Sequence, residues 1–326
     1  MCALMRFRLR GFLTSAFLAG LLSTGCATAY AEPEAKLDLS WNKTADSVAL
    51  LNGAKVVWQY NHKKAEGKPY FHPLGTIDGD VLTWLRPGDH RWHRAMWHSW
   101  KMLNGLNYWE ENNKTMLSQG RTQIVDIKVE TAANHSAEIK LKLIYHPPDK
   151  PEIMSEERTI NISAPGKDGR YRVDWVATYK AIADKVTLER TPIPGQPGGR
   201  GYGGYAGLSI RMAKETRGWS FLNSEGLQGK AMHGKNATWV HASGKTVSGK
   251  DAGLTMLDHP SNMRHPSPWY LAAGMPYFSP ALIFNEPYVL TRGQSFTLKY
   301  RVLVHSGPID KDKLAADWRE FSGLRE

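Results

Sequence analysis

Tyr171-Arg172-Val173-Asp174-Trp175-Val176-Ala177-Thr178-Tyr179 sets Tyr171, Val173, Trp175, Ala177 and Tyr179 at every second position. Side chains of an extended chain point alternately to its two faces, so this spacing predicts a strand with one face in a core. Working outward, Phe296, Leu298, Tyr300, Val302 and Val304 repeat the pattern, opposed by Thr297, Lys299 and Arg301. Ile139, Leu141 and Leu143 alternate with Lys140 and Lys142. Val125, Ile127 and Val129 alternate with Asp126, Lys128 and Glu130, and Ala132-Ala133-Asn134 between the two runs predicts a hairpin. One buried face and one wet face is the habit of antiparallel sheets. Helical spacing is scarce; its best case starts at Asp312, with Leu314, Trp318 and Phe321 on one face. Gly, Pro and Asn punctuate the runs, and no linker, repeat or low-complexity break interrupts them. The expectation is an all-β protein, an antiparallel β-sandwich over 32–326 with a short C-terminal helix lying on it.

Residues 1–31 read differently. Arg6, Arg8 and Arg10 precede an apolar run over 11–22 and then small residues, the layout of a secretory signal peptide. Ala29-Tyr30-Ala31 fits a cleavage site that leaves Glu32 first, and the protein is then periplasmic or secreted. A second reading is open: Ser23-Thr24-Gly25-Cys26 resembles a lipobox with Ser23 as the departure, which makes Cys26 a lipid anchor of an outer-membrane lipoprotein. The two cysteines, Cys2 and Cys26, both lie in this leader, so no disulfide is expected after cleavage at Ala31. No later run approaches the ~20 apolar residues of a transmembrane helix. The formal charge is +11, with three of those charges in the leader, and no block of five like charges occurs. That argues against nucleic acid. Twelve Trp and thirteen Tyr in a basic exported chain point instead to a carbohydrate or anionic polysaccharide partner, although aromatics also fill β cores.

The densest chemistry lies in Arg86-Pro87-Gly88-Asp89-His90-Arg91-Trp92-His93-Arg94-Ala95-Met96-Trp97-His98-Ser99-Trp100. Pro-Gly-Asp predicts a loop, and loops on a rigid scaffold commonly carry catalytic groups. Imidazole titrates near neutrality and suits proton transfer or metal ligation, and Asp89 can orient one ring. The bland alternative, satisfied polar histidines, carries equal weight. Tyr70-Phe71-His72-Pro73-Leu74 reads as a strand delivering His72 to the same end of the sheet. Glu110 and Glu111, after Asn107-Tyr108-Trp109, are candidate carboxylate partners whose commoner fate is the solvated surface. The Gly-rich run 195–207 lacks the Gly-Lys-Ser/Thr ending of a phosphate loop, and its tyrosines are placed to cover a sugar site. Asp258-His259-Pro260-Ser261-Asn262-Met263-Arg264-His265-Pro266 is a second polar, proline-stiffened loop, read either as another wall of the site or as a rigid turn satisfying itself.

Taken in order, Tyr70-Phe71-His72-Pro73, Asp89-His90-x-x-His93-Arg94 with Trp97, Asn104-Gly105 to Trp109, Tyr205-Ala206-Gly207-Leu208-Ser209-Ile210-Arg211, Asn223-Ser224-Glu225-Gly226, the Asp258 to Pro266 block and Tyr300-Arg301-Val302 with His305-x-Gly307 resemble the family labelled methane oxygenase PmoA-like. The resemblance covers nearly all of 32–326 and implies an exported protein of polysaccharide-degrading systems. Trp92 departs from the His of many relatives, so no metal or catalytic role carries over to it. The middle of the chain, around Tyr171 to Ala181 and Val186 to Thr191, also resembles the aldose-epimerase, galactose-mutarotase-like supersandwich.

The expected function is a carbohydrate-active enzyme that moves protons on a sugar, ending in glycosidic cleavage or β-elimination. His90 and His93 are the candidate acid and base, oriented by Asp89. His72, Arg94, Trp97, Trp109, His259, Asn262, Arg264 and His265 are the candidate substrate contacts, with Trp92 as a further stacking ring. No cofactor is needed for this chemistry. A divalent metal is the alternative, with His72, His90, His93 and His259 as its ligands and an oxygenase or hydrolase as its outcome. A non-catalytic glycan-binding protein, using the aromatics alone, is the third reading.

Overall fold

The computed structural model describes residues 37–323. The signal-peptide, cleavage and Cys26 readings lie outside the described residues. Those residues form antiparallel β-sheets, three 3-10 turns and one α-helix. No helix among them is long and apolar enough to cross a membrane.

Two eight-stranded sheets face each other. The first runs, in spatial order, Leu39–Lys43, Ser47–Asn52, Lys55–Asn61, Tyr70–Leu74, Met96–Ser99, Gly207–Arg211, Tyr277–Pro280 and Trp269–Ala272. The second runs Ser220–Asn223, Trp239–Lys245, Asp251–Asp258, Ser295–Ser306, Tyr171–Ala181, Met154–Ile162, Ala137–His146 and Arg121–Thr131. The two strands most legible in sequence are hydrogen-bonded neighbours at its centre, Tyr171 opposite Val304 and Tyr179 opposite Phe296. Their inward side chains meet Trp58, Phe71, Met96, Ile210 and Phe278 of the first sheet in one core. A small four-stranded sheet, including Lys185–Glu189 and Tyr288–Thr291, completes the fold.

One expected face needs correcting. Val125 is 48% exposed, because a register shift between Ile124 and Asp126 turns Ile124 inward in its place. Such a bulge inserts a residue into one strand and reverses which side chains face the core. The C-terminal helix spans Lys311–Ser322, capped by the Asp310 side chain accepting from Lys313 N–H and ended at Gly323 in the left-handed region. Leu314, Trp318 and Phe321 pack on Trp239, Leu257 and Leu303 of the second sheet.

Candidate functional site

Four strands of the first sheet carry apolar residues on both faces, and the fifth between them, Gly207–Arg211, carries them on its core face. Phe71, Met96, Leu208, Ile210 and Phe278 enter the sandwich core, while Tyr70, Trp97, Tyr270 and Tyr277 gather on the opposite face. A strand buried on both sides needs a cover, and here two loops supply it. Residues 86–95 form the first loop. Arg86 N–H donates to the His93 carbonyl at 2.8 Å, and Trp84 N–H donates to the Arg211 carbonyl at 2.9 Å, tying the loop to the sheet. Arg86 and Ala95 bracket it in left-handed backbone, at φ 50° and 62°, a conformation that non-glycine residues hold only where the surroundings impose it. The Gly-rich loop after Glu189 is the second cover, and it brings Tyr202 and Tyr205 over the aromatic face.

Between loops and sheet lies a cavity of about 420 Å³. His90, Trp92, His93, Trp109, Glu110, Tyr202, Tyr205, Tyr270, Ala272, Met275 and Tyr277 line it. Its volume lies in the range of small-molecule pockets, and its mostly aromatic wall with few polar groups is their usual chemistry.

The two histidines differ in what surrounds them. His93 is buried against Trp97, at 5.2 Å between ring centroids, and Tyr277, at 5.3 Å. Burial, with smaller contributions from His90 and the Arg211 charge, pushes its pKa down to about 2, so the ring is neutral. Its Nδ1 has no hydrogen-bond partner among the described residues. His90 reaches solvent, and its Nδ1 stands 3.4 Å from Asp89 Oδ2. Arg211 Nη2 donates to both oxygens of Asp89, at 2.9 and 2.8 Å. Partial burial raises the Asp89 pKa, but the Arg211 bonds and charge outweigh it and hold the carboxylate below its usual range.

Across the cavity stands Glu110. Burial pushes this carboxyl up, and the Lys101 ion pair with hydrogen bonds from Asn107 and Tyr205 brings it below the usual range. Tyr205 O–H donates to Glu110 Oε1 at 2.8 Å. Burial, then the neighbouring Glu110 charge, drives the phenol's pKa far up and keeps it protonated. Tyr277 O–H and Ser209 O–H bond each other at 2.7 Å behind the ring wall.

Other sequence candidates sit elsewhere. Arg94 does not face the cavity; it is fully buried, donating to Glu111 Oε1 at 2.8 Å and Glu66 Oε2 at 2.9 Å. Glu111, expected on the surface, is the centre of this cluster and also meets Arg86 at 3.0 Å and Lys68 at 3.3 Å. Trp97 lies beneath the cavity wall, its ring 5.2 Å from that of Trp109 and tilted 41° to it; Trp109 does line the cavity. His72 Nδ1 bonds the Thr83 hydroxyl at 3.1 Å, and burial lowers its pKa to about 4.

The expected joining of the 86–100 and 258–266 segments in one pocket is corrected. Asn262 donates to Asp258 Oδ1 and to the Lys299 carbonyl, both at 2.7 Å. His265 Nδ1 bonds Asp258 Oδ2 at 2.9 Å and its ring stacks on Trp318. His259 bonds Ser261 and packs edge-on against Phe321. Arg264 donates to the carbonyls of Leu282, Glu286 and Pro287. A fully buried carboxylate, Asp258, organises this loop from within, and none of its candidate side chains lines the aromatic cavity. Of the alternative metal set His72, His90, His93 and His259, only His90 and His93 come together, at 4.6 Å between rings. No group of three His, Cys, Asp or Glu converges for a metal among the described residues.

A family model described as a family of unknown function (DUF6807) matches residues 47–319. The chain belongs to that family. No curated protein matches this family member. Among solved structures it is similar to the Slr1438 protein of Synechocystis sp. PCC 6803, with 8% identity and a TM-score of 0.31 over 83% of this chain and 96% of that one. It is also similar to a protein of Klebsiella pneumoniae subsp. pneumoniae MGH 78578 provisionally named an aldose 1-epimerase, with 10% identity and a TM-score of 0.28 over 86% and 81% of the two chains. At such scores neither likeness bears on the site. In this DUF6807 member, both loops and all the strands that build the cavity lie inside the matched residues.

Proposed function

We propose that this DUF6807 chain is an exported carbohydrate-active enzyme that cleaves an acidic polysaccharide by β-elimination, with His90 taking the proton. The observation that carries the reading is the placement of His90 and the Tyr205–Glu110 pair as the polar groups of one aromatic cavity. A pyranose ring presents flat C–H faces, and Trp92, Trp109 and Tyr270 offer it apolar walls.

The ionisation states favour elimination over hydrolysis. Glycoside hydrolases generally use two carboxyl groups, one of them protonated as general acid. Here Asp89 is held ionised by Arg211 and Glu110 by Lys101. In elimination, a base removes the proton from the carbon next to a uronate carboxyl. The glycosidic oxygen on the adjoining carbon leaves with a proton, and a C=C bond remains in the sugar. His90, oriented by Asp89, is the base, and Tyr205, kept protonated by its burial, is the donor to the leaving oxygen. His93 stays neutral, excludes water behind His90 and raises no competing charge.

Turnover of acidic polysaccharides, followed by the ultraviolet absorbance of the new C=C bond, tests the reading. Absorbance growth with wild-type protein and none with His90→Ala is expected. Binding of the same glycans without turnover in either protein would make this a glycan-binding protein instead. Export is tested separately by mass spectrometry of the mature N-terminus, expected at Glu32, with lipidated Cys26 as the other export route.

A further inference from the structure

Glu110 belongs to two cavities. One is the aromatic pocket; the other is a polar cleft of about 650 Å³ that no step above uses. The carboxylate is split between them. Its Oε1 receives Tyr205 O–H on the aromatic side, and its Oε2 receives the Asn107 amide, at 2.6 Å, on the cleft side. The Glu110 side chain is 29% exposed, so this shared wall reaches solvent.

The cleft is built for hydroxyls and for negative charge. Asn112 Oδ1 accepts the backbone N–H groups of Lys114 and Thr115, and Gln119 Oε1 accepts that of Asn107. Each amide thereby commits its oxygen and leaves its N–H₂ without a protein partner among the described residues. Arg121 is half-buried at the cleft; its Nη1 makes a 3.4 Å bond to the Gln119 carbonyl and it has no ion pair among the described residues. The carboxylates on the opposite wall, Glu110 and Glu111, are already matched by Lys101, Lys68, Arg86 and Arg94. A guanidinium with open donors beside compensated acids favours a carboxylate ligand.

We infer that the polar cleft is a second sugar subsite, continuous with the aromatic pocket across Glu110, and that the protein takes chains of uronate units, with a carboxyl group of the chain on Arg121. This rests on the proposed function and adds to it a chain-length requirement and a second binding site.

Calorimetric titration of the full-length protein with oligogalacturonides and with cello-oligosaccharides, each from one to six units, tests it. Affinity is expected to rise at least tenfold from dimer to hexamer in the acidic series, and to rise less in the neutral one. Arg121→Ala and, independently, the surface change Gln119→Ala should shrink the dimer-to-hexamer ratio, with melting temperatures confirming that both variants fold. Equal affinity for all lengths, or an unchanged ratio in both variants, would overturn the second subsite while leaving the pocket standing. Binding of no oligomer in either series would overturn the proposed function together with this inference.

Discussion

The imidazoles of His90 and His93 lie 4.6 Å apart between centroids and 31° from parallel; both line the cavity, yet only His90 is open to solvent. Burial removes His93 from acid–base work near neutrality, and the proposed mechanism gives that work to His90. Imidazole NMR should therefore show a His93 resonance that does not titrate between about pH 4 and 8, two units or more above its depressed pKa. Titration of His93 in that window would return it to the role of a catalytic acid or base.

Asp89 is hydrogen-bonded to Arg211 and stands 3.4 Å from His90 Nδ1 without a hydrogen bond; if that charge orients His90 as proposed, Asp89→Asn should slow turnover more than it weakens binding. Loss of an orienting carboxylate costs part of a general-base contribution of about 10²–10⁴, so a fall in kcat of at least tenfold with KM within a few-fold is expected. An unchanged kcat would mean that His90 needs no orientation from this pair.

The fold was largely readable because alternation is a local signal. Tyr171 to Tyr179 and Phe296 to Val304 announce their inner faces without reference to the rest of the chain. Where reading failed, a distant partner decided the outcome. Val125 follows from a bulge against Leu143 and Lys142, and Glu111 is drawn inside by Lys68 and Arg94, the first of them 43 positions away. Proline-bounded His259 to His265 had the right residue types for a site but is wound around its own Asp258. His90, His93 and Trp109, with the tyrosines of the Gly-rich loop, do share the cavity. Tyr270 and Tyr277 were passed over, although Trp269-Tyr270-Leu271 and Tyr277-Phe278, apolar on both strand faces, signalled a covered outer surface.

Arg264 is bound to three carbonyls in the structure, so Arg264→Ala should act on stability. Loss of charged hydrogen bonds is expected to cost about 1–3 kcal/mol in urea unfolding, with substrate affinity of the folded protein unchanged. Full stability with weakened substrate binding would restore this residue to the site. Glu111→Gln should be costlier, about 3–5 kcal/mol, because it leaves buried Lys68 without its carboxylate partner and Arg94 with Glu66 alone.

Acid should destabilise the protein through its buried histidines. Burial lowers His72 to about 4, His93 to about 2 and His241 to about 3. The unfolded chain binds these protons near pH 6.5, so stability is fully present above that pH and falls as pH drops toward the folded values. Each ring contributes a slope of up to about 1.4 kcal/mol per pH unit. Urea midpoints between about pH 6.5 and 5, above the carboxylate range, should fall steadily, and His241→Asn should flatten the slope by up to one proton's worth. A flat profile would contradict neutral, buried rings.

No step in the account needs a metal, so exhaustive dialysis against a chelator should leave turnover intact. Stoichiometric metal lost together with activity would favour a His-ligated metal enzyme.

The proposed mechanism makes His90 the base acting on an acidic sugar held in the aromatic cavity. Its most direct test is single-turnover C=C formation by His90→Ala, with oligogalacturonide affinity measured on the same samples. A rate lower by at least about a hundredfold, the scale of a general base, is expected, with affinity changed less than threefold. A His90→Ala protein that forms the unsaturated product at the wild-type rate would contradict it.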